Sequence, residues 1–258
     1  MPLSAVLLDL EGVLYQSEAP IEGGRAALRA LEARGLGLRY VTNTTTTSRA
    51  GVLRRLSGVG LEIEPDSLFT PLAAARRLLG DWGARRIHLA AAAETAGDFD
   101  GFELVESGAA DAVVMGDLYK AYDWDRLNLL FSMVRGGARL IALHKNRYCR
   151  REEGLGLDAG PFVAAVEYAA GVDAVVVGKP AAPFFHLALA DLGVAPGDAV
   201  MVGDDIEADI GGAQAAGLKA IQVETGKFTP ADLEHARVTP DGRIASIADL
   251  PAALQGLT

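Results

Sequence analysis

Short apolar runs alternate with longer amphipathic stretches along most of the chain. The apolar runs predict strands at residues 5–8, 38–42, 86–90, 112–115, 140–143, 174–177, 199–202 and 219–223. The stretches between them predict helices at residues 23–34, 49–58, 72–79, 123–134, 160–169, 182–192 and 206–216. This alternation is typical of a parallel sheet with helices on both faces, and strands that are apolar throughout suit such a buried sheet. The sequence therefore predicts an α/β fold with a Rossmann-like, doubly wound sheet.

Three of the predicted strands end in polar side chains. Asp9 follows the first strand, Thr42 and Asn43 end the second, and Asp204 and Asp205 follow a later one. In open parallel sheets, ligands bind outside the carboxyl ends of the strands. We therefore expect these three strand ends to meet at one site.

The length and composition limit which class of protein this chain belongs to and which partners it can bind. The 258 residues suffice for a large α/β domain with a smaller inserted one. The net charge of −10 and the lack of a basic run argue against a nucleic-acid partner. The apolar runs are far shorter than the roughly 20 residues of a membrane helix, so no membrane partner is expected. The single cysteine, Cys149, cannot form an internal disulfide, and this fits a cytoplasmic protein.

The segment Asp9-Leu10-Glu11-Gly12 places two carboxylates and a glycine at the end of a buried strand. A carboxylate there can attack phosphorus as a nucleophile, and a second one can protonate the leaving oxygen. The glycine allows the backbone to bend close to a ligand. By itself the pattern also fits a solvated acidic turn, and that alternative stays open.

Two further segments carry groups that could hold a phosphate. Thr42 and Asn43 can donate hydrogen bonds to phosphate oxygens, whereas the hydroxyls at 45–48 are better explained as a helix N-cap. Lys179 opens a loop after a very apolar run, where its charge could neutralise a phosphoryl group. An ordinary surface lysine is the alternative at this position.

Adjacent carboxylates follow the strand at 199–202, namely Asp204 and Asp205, with Asp209 about one helical turn further on. Oxygen ligands of this kind suit a hard cation such as Mg²⁺. Alternatively, Asp205 caps the following helix while Glu207 and Asp209 complement its dipole. Both interpretations can hold together if Asp204 binds the metal and Asp205 caps the helix.

The order of these motifs resembles the haloacid dehalogenase (HAD) superfamily, which has an aspartate nucleophile first, then a Thr-Asn pair, a lysine and a Gly-Asp-Asp-x-x-x-Asp segment. The wide gap before Lys179 is similar to subfamily IIA, in which a C2-type cap is inserted there. Further segments look like the branch that contains phospholysine phosphohistidine inorganic pyrophosphate phosphatase. These segments are 41–45 (VTNTT), 144–148 (HKNRY), 160–162 (GPF), 167–168 (EY), 177–180 (VGKP), 211–214 (GGAQ) and 225–227 (TGK).

The resemblance implies a magnesium-dependent phosphatase, a hydrolase that passes through an aspartyl phosphate on Asp9. Asp9 would be both nucleophile and metal ligand. Glu11 would give its backbone carbonyl to the metal and its carboxyl as the acid/base. The superfamily usually has Asp at this position and the branch often has Ser, so the role of the Glu11 carboxyl stays open. Its extra methylene moves the carboxyl by roughly an ångström, and such a shift can cost about 100-fold in rate.

The same resemblance assigns the other site residues. Thr42 and Asn43 would bind the transferring phosphoryl group, and Lys179 would neutralise the charge on it during catalysis. Asp204 would be a direct metal ligand. The outer shell of the Mg²⁺ site would hold Asp205 and Asp209.

The domain organisation is also implied by the resemblance. A catalytic core would comprise residues 1–71 and 179–258, and an inserted α/β cap would span 72–178. The cap would exclude water, select a small phosphorylated substrate or pyrophosphate, and could join two copies in a homodimer. Within the cap, His144 could touch substrate or simply end a strand. A solvated face is the better explanation for the nearby basic residues, with contact to a substrate anion as the alternative; they are Lys145, Arg147, Arg150 and Arg151.

Three other functions fit parts of the pattern. A phospho-acceptor signalling domain also combines Asp, an acidic pair, Thr and Lys, but there the acidic pair comes first in the chain. A catalytically weak phosphate-binding or regulatory relative is suggested by Glu11. A dehalogenase would use the same aspartyl ester chemistry, but the full set of magnesium ligands argues against it, because displacement of halide from carbon needs no metal.

Overall fold

The computed structural model describes residues 3–151, 154–230 and 238–256. The described strands, numbered β1 to β15 in chain order, are Ala5–Asp9, Tyr15–Gln16, Ala19–Pro20, Gly37–Val41, Leu68–Phe69, Arg86–Ala90, Glu103–Leu104, Ala112–Met115, Arg139–Ala142, Tyr148–Arg151, Gly154–Leu157, Val175–Val176, Ala199–Gly203, Lys219–Val223 and Gly242–Ile244. The described α-helices, numbered α1 to α8, are Gly24–Glu32, Arg49–Gly58, Pro71–Asp81, Trp124–Arg135, Ala159–Ala170, Ala182–Ala190, Gly212–Ala215 and Leu250–Ala253. A π-helical turn, Ile206–Gly211, leads into α7.

The chain divides into two compact units. The first comprises Met1–Thr42, Ala50–Phe69 and Lys179–Thr258, and the second comprises Asn43–Arg49 and Thr70–Gly178. The predicted 1–71 and 179–258 core and 72–178 cap differ from these units chiefly in the segment 43–49. The assignment of catalytic core and cap stays a prediction, because compactness alone does not reveal function.

The first unit is built on a six-stranded sheet with the order β15-β14-β13-β1-β4-β5. Its neighbouring strands all run parallel. Val6 and Leu8 of β1 and Val200 and Val202 of β13 lie in one apolar core, against which Leu31 of α1 packs. Burial of each such side chain contributes about 1.5–3 kcal/mol to folding. The central place of β1 therefore follows from its uninterrupted apolar sequence.

The second unit has its own five-stranded parallel sheet, with the order β12-β9-β8-β6-β7. Helices α4 and α5 pack on it and share a separate apolar core that includes Leu130 and Val163. Asp123 caps α4 by accepting a hydrogen bond from the Arg126 N–H, as residues of this type do at helix starts. An antiparallel hairpin, β10–β11, completes the unit.

The predicted α/β class, with parallel sheets and helices, is confirmed. The strands that the pattern missed are short edge strands and hairpins, such as β2–β3 and β5, whose two residues are too few to show a period. The predicted helix at 206–216 is a π-helical turn followed by the short α7. In the described part of the chain, no helix is both long and apolar enough to cross a membrane.

Candidate active site

The centre of the first unit's sheet brings three polar strand ends to one edge. Asp9 is the last residue of β1, and in the parallel register it lies beside Val41, the residue before Thr42. On the other side of β1, Leu8 pairs with Val202 of β13, and Asp204 directly follows that strand. The strand order changes direction at β1, which is the place where open α/β sheets bind ligands. The parallel register therefore places the carboxyl ends of β4, β1 and β13 side by side, as the sequence predicts.

Lys179 joins two of the carboxylates. Its Nζ lies 2.6 Å from Asp9 Oδ1 and 2.6 Å from Asp209 Oδ1, and its side chain is only 4% exposed. Burial alone would lower the pKa of Lys179, but the charges of Asp209 and Asp9 overcome this and raise it above its ordinary value. Lys179 is therefore a buried permanent cation, and the alternative of a surface lysine is wrong.

Asp209 is almost completely buried and uses both of its carboxylate oxygens. Oδ1 accepts from Lys179, and Oδ2 accepts from the Asp205 backbone N–H at 3.2 Å. The carboxylate lies against Gly203, where any side chain would overlap it. Burial raises the pKa of Asp209 to about 6, although Lys179 opposes the shift.

Asp204 lies in a cradle of backbone atoms. Its Oδ2 accepts a hydrogen bond of 2.7 Å from the Lys227 N–H. The same oxygen sits so close to Gly12 and Gly226 that a Cβ on either glycine would overlap it. Both glycines have positive φ, at 89° and 68°. Asp204 Oδ1 is buried and has no hydrogen-bond partner among the described residues.

These carboxylates fit a divalent cation. Asp9, Asp204 and Asp209 each offer an oxygen within 4.8 Å of the others. Lys179 pairs with Asp9 and Asp209, and burial raises the pKa of both Asp9 and Asp204 because their charged forms are poorly solvated. The unpartnered Asp204 Oδ1 is an oxygen donor aimed at no protein group, as a ligand for Mg²⁺ should be.

Asp205 has a different role from Asp204. Its Oδ1 accepts from the N–H groups of Glu207 at 3.1 Å and Ala208 at 2.9 Å, so it caps the π-helical turn. Its Oδ2 lies 3.4 Å from Lys227 Nζ. Burial opposes the shift, but the Ala208 N–H and the Lys227 charge lower the pKa of Asp205. The helix-cap interpretation is therefore confirmed for this residue.

Glu11 lies outside the carboxylate cluster. It is exposed, two residues beyond Asp9, and its backbone forms an isolated bridge with Tyr15. Burial raises the pKa of Tyr15, the nearby Glu11 charge adds to this, and a hydrogen bond from Arg55 opposes it. Tyr15, a neighbour of Glu11, and Arg55 of α2, which bonds to Tyr15, are residues that the sequence does not single out.

Most of the remaining predicted residues belong to the second unit. Asn43 groups there, close to Gly178, whereas Thr42 is the last residue of its segment in the first unit. His144 is buried, with Nε2 3.7 Å from Asp158 Oδ1, which favours a structural role over substrate contact. Lys145 pairs with Glu167 at 2.6 Å, and Arg147 lies 5.7 Å from the Tyr148 ring. The side chains of two other predicted residues lie outside the described part, namely those of Arg150 and Arg151.

Sequence reasoning missed one group of residues at this site. The segment Thr225-Gly226-Lys227, which follows β14, supplies the N–H that holds Asp204 and a hydroxyl that donates to the Gly12 carbonyl. A Gly next to polar residues at a strand end was the available signal.

Comparisons with known proteins show the family to which the chain belongs. Residues 6–102 match the family model for haloacid dehalogenase-like hydrolases, and residues 176–250 match a model described as HAD-hydrolase-like. The human haloacid dehalogenase-like hydrolase domain-containing protein 2 is 42% identical over 238 residues, which are 92% of this chain and 90% of the relative. The human phospholysine phosphohistidine inorganic pyrophosphate phosphatase is 38% identical over 253 residues, covering 95% and 91%.

A solved structure extends the likeness to the whole fold. The p-nitrophenyl phosphatase from Archaeoglobus fulgidus superposes with a TM-score of 0.87 at 26% identity, over 98% of this chain and 100% of that one. The two family models match an N-terminal and a C-terminal part of the chain, and the relatives align over nearly its full length. The chain therefore belongs to the haloacid dehalogenase-like hydrolases.

Proposed function

We propose that this chain, a phosphatase of the HAD type, hydrolyses a small phosphorylated compound or pyrophosphate with Mg²⁺ through an aspartyl phosphate on Asp9. The observation that carries the proposal is the buried group of Asp9, Lys179, Asp204 and Asp209 at the carboxyl edge of the sheet. Two of the similar proteins are named phospholysine phosphohistidine inorganic pyrophosphate phosphatase and p-nitrophenyl phosphatase, and these names support the proposed substrate class.

In this proposal Mg²⁺ would be held by Asp9, Asp204 and the backbone carbonyl of Glu11. Asp205 and Asp209 would stay in the outer shell, which suits Asp209 because both of its oxygens already accept hydrogen bonds. When bound, the ion supplies positive charge that lets an anionic nucleophile approach an anionic phosphate.

The protein's own groups carry the two chemical steps. Asp9 attacks phosphorus, a new bond forms between its oxygen and phosphorus, and the bond to the leaving oxygen breaks. Water then attacks the phosphorus of the aspartyl phosphate and gives a proton to the carboxylate of Glu11, and cleavage of the bond between the Asp9 oxygen and phosphorus restores the Asp9 carboxylate and releases phosphate. Lys179 keeps one oxygen of Asp9 fixed at 2.6 Å and adds a permanent positive charge beside the reacting group. Thr42, together with Asn43, would donate hydrogen bonds to the phosphoryl oxygens.

Proton transfer to the leaving oxygen is assigned to Glu11. Its exposure means that the carboxyl is available to a substrate, although it takes no part in the buried cluster. The same exposure favours a second candidate function, a phosphate-binding or regulatory protein in which position 11 provides only its backbone carbonyl. Measured turnover separates the two, because a binding protein would take up phosphate without releasing product continuously.

The testing experiment is an assay of the purified chain with p-nitrophenyl phosphate, alkyl phosphates, phosphoramidates and pyrophosphate, with and without Mg²⁺. We expect Mg²⁺-dependent release of phosphate from at least one of them. Asp9→Asn should lower kcat by at least about a thousandfold while the circular dichroism spectrum stays unchanged. Substantial turnover by a folded Asp9→Asn protein would contradict the covalent mechanism.

A further inference from the structure

We propose that Thr225, Gly226 and Lys227 form a latch that fixes the Asp204 carboxylate for Mg²⁺, with Thr225 as its positioning residue. The inference rests on the proposed function, since it assigns a role in the metal site of that reaction. It concerns residues to which the proposed function assigns no contact with substrate or metal.

The latch joins three strand ends of the first unit. Lys227 donates its backbone N–H to Asp204 Oδ2 at 2.7 Å, which links the loop after β14 to the loop after β13. The Thr225 hydroxyl donates to the Gly12 carbonyl, which links the same loop to the loop after β1. Three separate segments of the chain therefore share one set of hydrogen bonds around the carboxylate.

Two glycines make room for this arrangement. Gly12 and Gly226 face each other across Asp204 Oδ2, and a Cβ on either one would overlap that oxygen. A Cβ on Gly226 would also overlap the Cα of Gly12. Both positions have a positive φ, which glycine adopts without the cost that other residues bear. The close approach of the two loops therefore depends on glycine at both places.

The consequence for the metal site is a fixed orientation of one carboxylate. Because Oδ2 is held by the Lys227 N–H and enclosed by the glycines, Oδ1 remains the oxygen available to a cation. The Gly12 carbonyl, which accepts from Thr225, directly follows the Glu11 carbonyl, which is another of the proposed ligands. Hydrogen bonds that orient metal ligands typically change metal affinity by about 10–100-fold when they are removed.

The test compares Thr225→Val, which removes the hydroxyl at nearly constant volume, with Thr225→Ser, which keeps it. One readout is the Mg²⁺ concentration that gives half of the Mg²⁺-induced rise in Tm, measured without substrate. The other is kcat and KM for p-nitrophenyl phosphate at saturating Mg²⁺. Thr239→Val serves as the matched control, because Thr239 is an exposed threonine of the same unit.

We expect Thr225→Val to raise the half-saturating Mg²⁺ concentration by on the order of tenfold and to leave KM at saturating Mg²⁺ close to that of the wild type. Thr225→Ser and Thr239→Val should stay near the wild-type value. If Thr225→Val does not fold, Thr225→Ala takes its place in the same comparison with Ser.

Two results overturn the inference while the proposed function stands. One is a wild-type Mg²⁺ response in Thr225→Val, and the other is a Ser variant as defective as the Val variant. A wild-type protein with neither a Mg²⁺-induced shift in Tm nor Mg²⁺-dependent turnover contradicts the proposed function, and the inference fails with it.

Discussion

Lys179 is the residue on which the charge balance of the site depends. It lies 170 residues from Asp9 and 30 from Asp209 in the chain, yet it pairs with both. Buried ion pairs often add little net stability, but loss of one partner leaves an uncompensated buried charge. The same ammonium group therefore serves both the fold of the first unit and the proposed reaction.

Lys179→Met keeps most of the side-chain length and removes the charge. We expect a loss of folding free energy of about 3–5 kcal/mol, because Asp9 and Asp209 would stay buried without their counter-charge. Turnover should fall as well. Chemical denaturation at neutral pH measures the first effect, with the exposed Lys120→Met as the control. If the variant is as stable as the control, the ion pairs of Lys179 with Asp9 and Asp209 contribute nothing to the folding free energy.

The proposed role of Glu11, as the acid that protonates the leaving oxygen, can be tested by comparing two substrates. If it is the acid, Glu11→Gln should lower kcat/KM for an alkyl phosphate by about a hundredfold and for p-nitrophenyl phosphate far less. The reason is that nitrophenolate leaves as an anion, whereas an alkoxide needs a proton. If kcat/KM falls equally for both substrates, and by less than about 1 kcal/mol in activation free energy, the Glu11 carboxyl takes no part in the reaction and only its backbone carbonyl has a role.

At the scale of elements, the site is made by loops that follow parallel strands. The strands β1, β13 and β14 are neighbours in the sheet, so the turns after them reach the same edge. Gly12 and Gly226 let two of these turns meet at the Asp204 carboxylate. The geometry of the metal site thus depends on backbone contacts between loops as much as on the carboxylates.

Gly226→Ala tests this contact between loops. The new methyl would overlap Asp204 Oδ2, so we expect Mg²⁺ binding and turnover to weaken by more than about tenfold. Gly35→Ala is the matched control, because Gly35 also has a positive φ, of 72° against 68°, but has open space around it. Both variants bear the backbone strain of about 1 kcal/mol, so only the difference between them reports on the site. Equal behaviour in a Mg²⁺ titration would argue against the close contact.

At the scale of the whole molecule, each unit has its own sheet and its own apolar core. Stability can therefore be probed in the second unit without a change in the carboxylate cluster, which lies in the first. His144 is the suitable probe. Burial lowers its pKa from the ordinary 6.5, although Asp158 and Asp117 oppose the shift.

The lowered pKa of His144 predicts that the protein loses stability in acid. A histidine with a lowered pKa stays neutral in the folded protein while the unfolded chain gains a proton below pH 6.5, so stability falls as the pH drops through that value and stops falling below the folded pKa. The slope contributed by one such group is at most about 1.4 kcal/mol per pH unit. His144→Gln should have a flatter dependence than the wild type in urea denaturation between pH 7.5 and 5. Parallel curves would assign the acid sensitivity to other groups.

The sequence by itself determined the class of the fold and most of the regular elements, because hydrophobic periodicity is a local property. The predicted strands at 86–90, 112–115 and 219–223 and the predicted helix at 49–58 have the observed bounds. It also singled out the residues that the structure gathers at the sheet edge, including Asp9, since polar residues at the ends of apolar strands stand out against their surroundings.

Only the tertiary structure decided which partner each of these groups has. Contacts such as those of Lys179 with Asp9 and of Lys227 with Asp204 join segments that are far apart in the chain, and they depend on the order and register of the strands. The exposure of Glu11 and the space for Asp204 between two glycines likewise follow from how the turns pack. No local pattern encodes such distances, because they are set by the packing of the whole unit around β1.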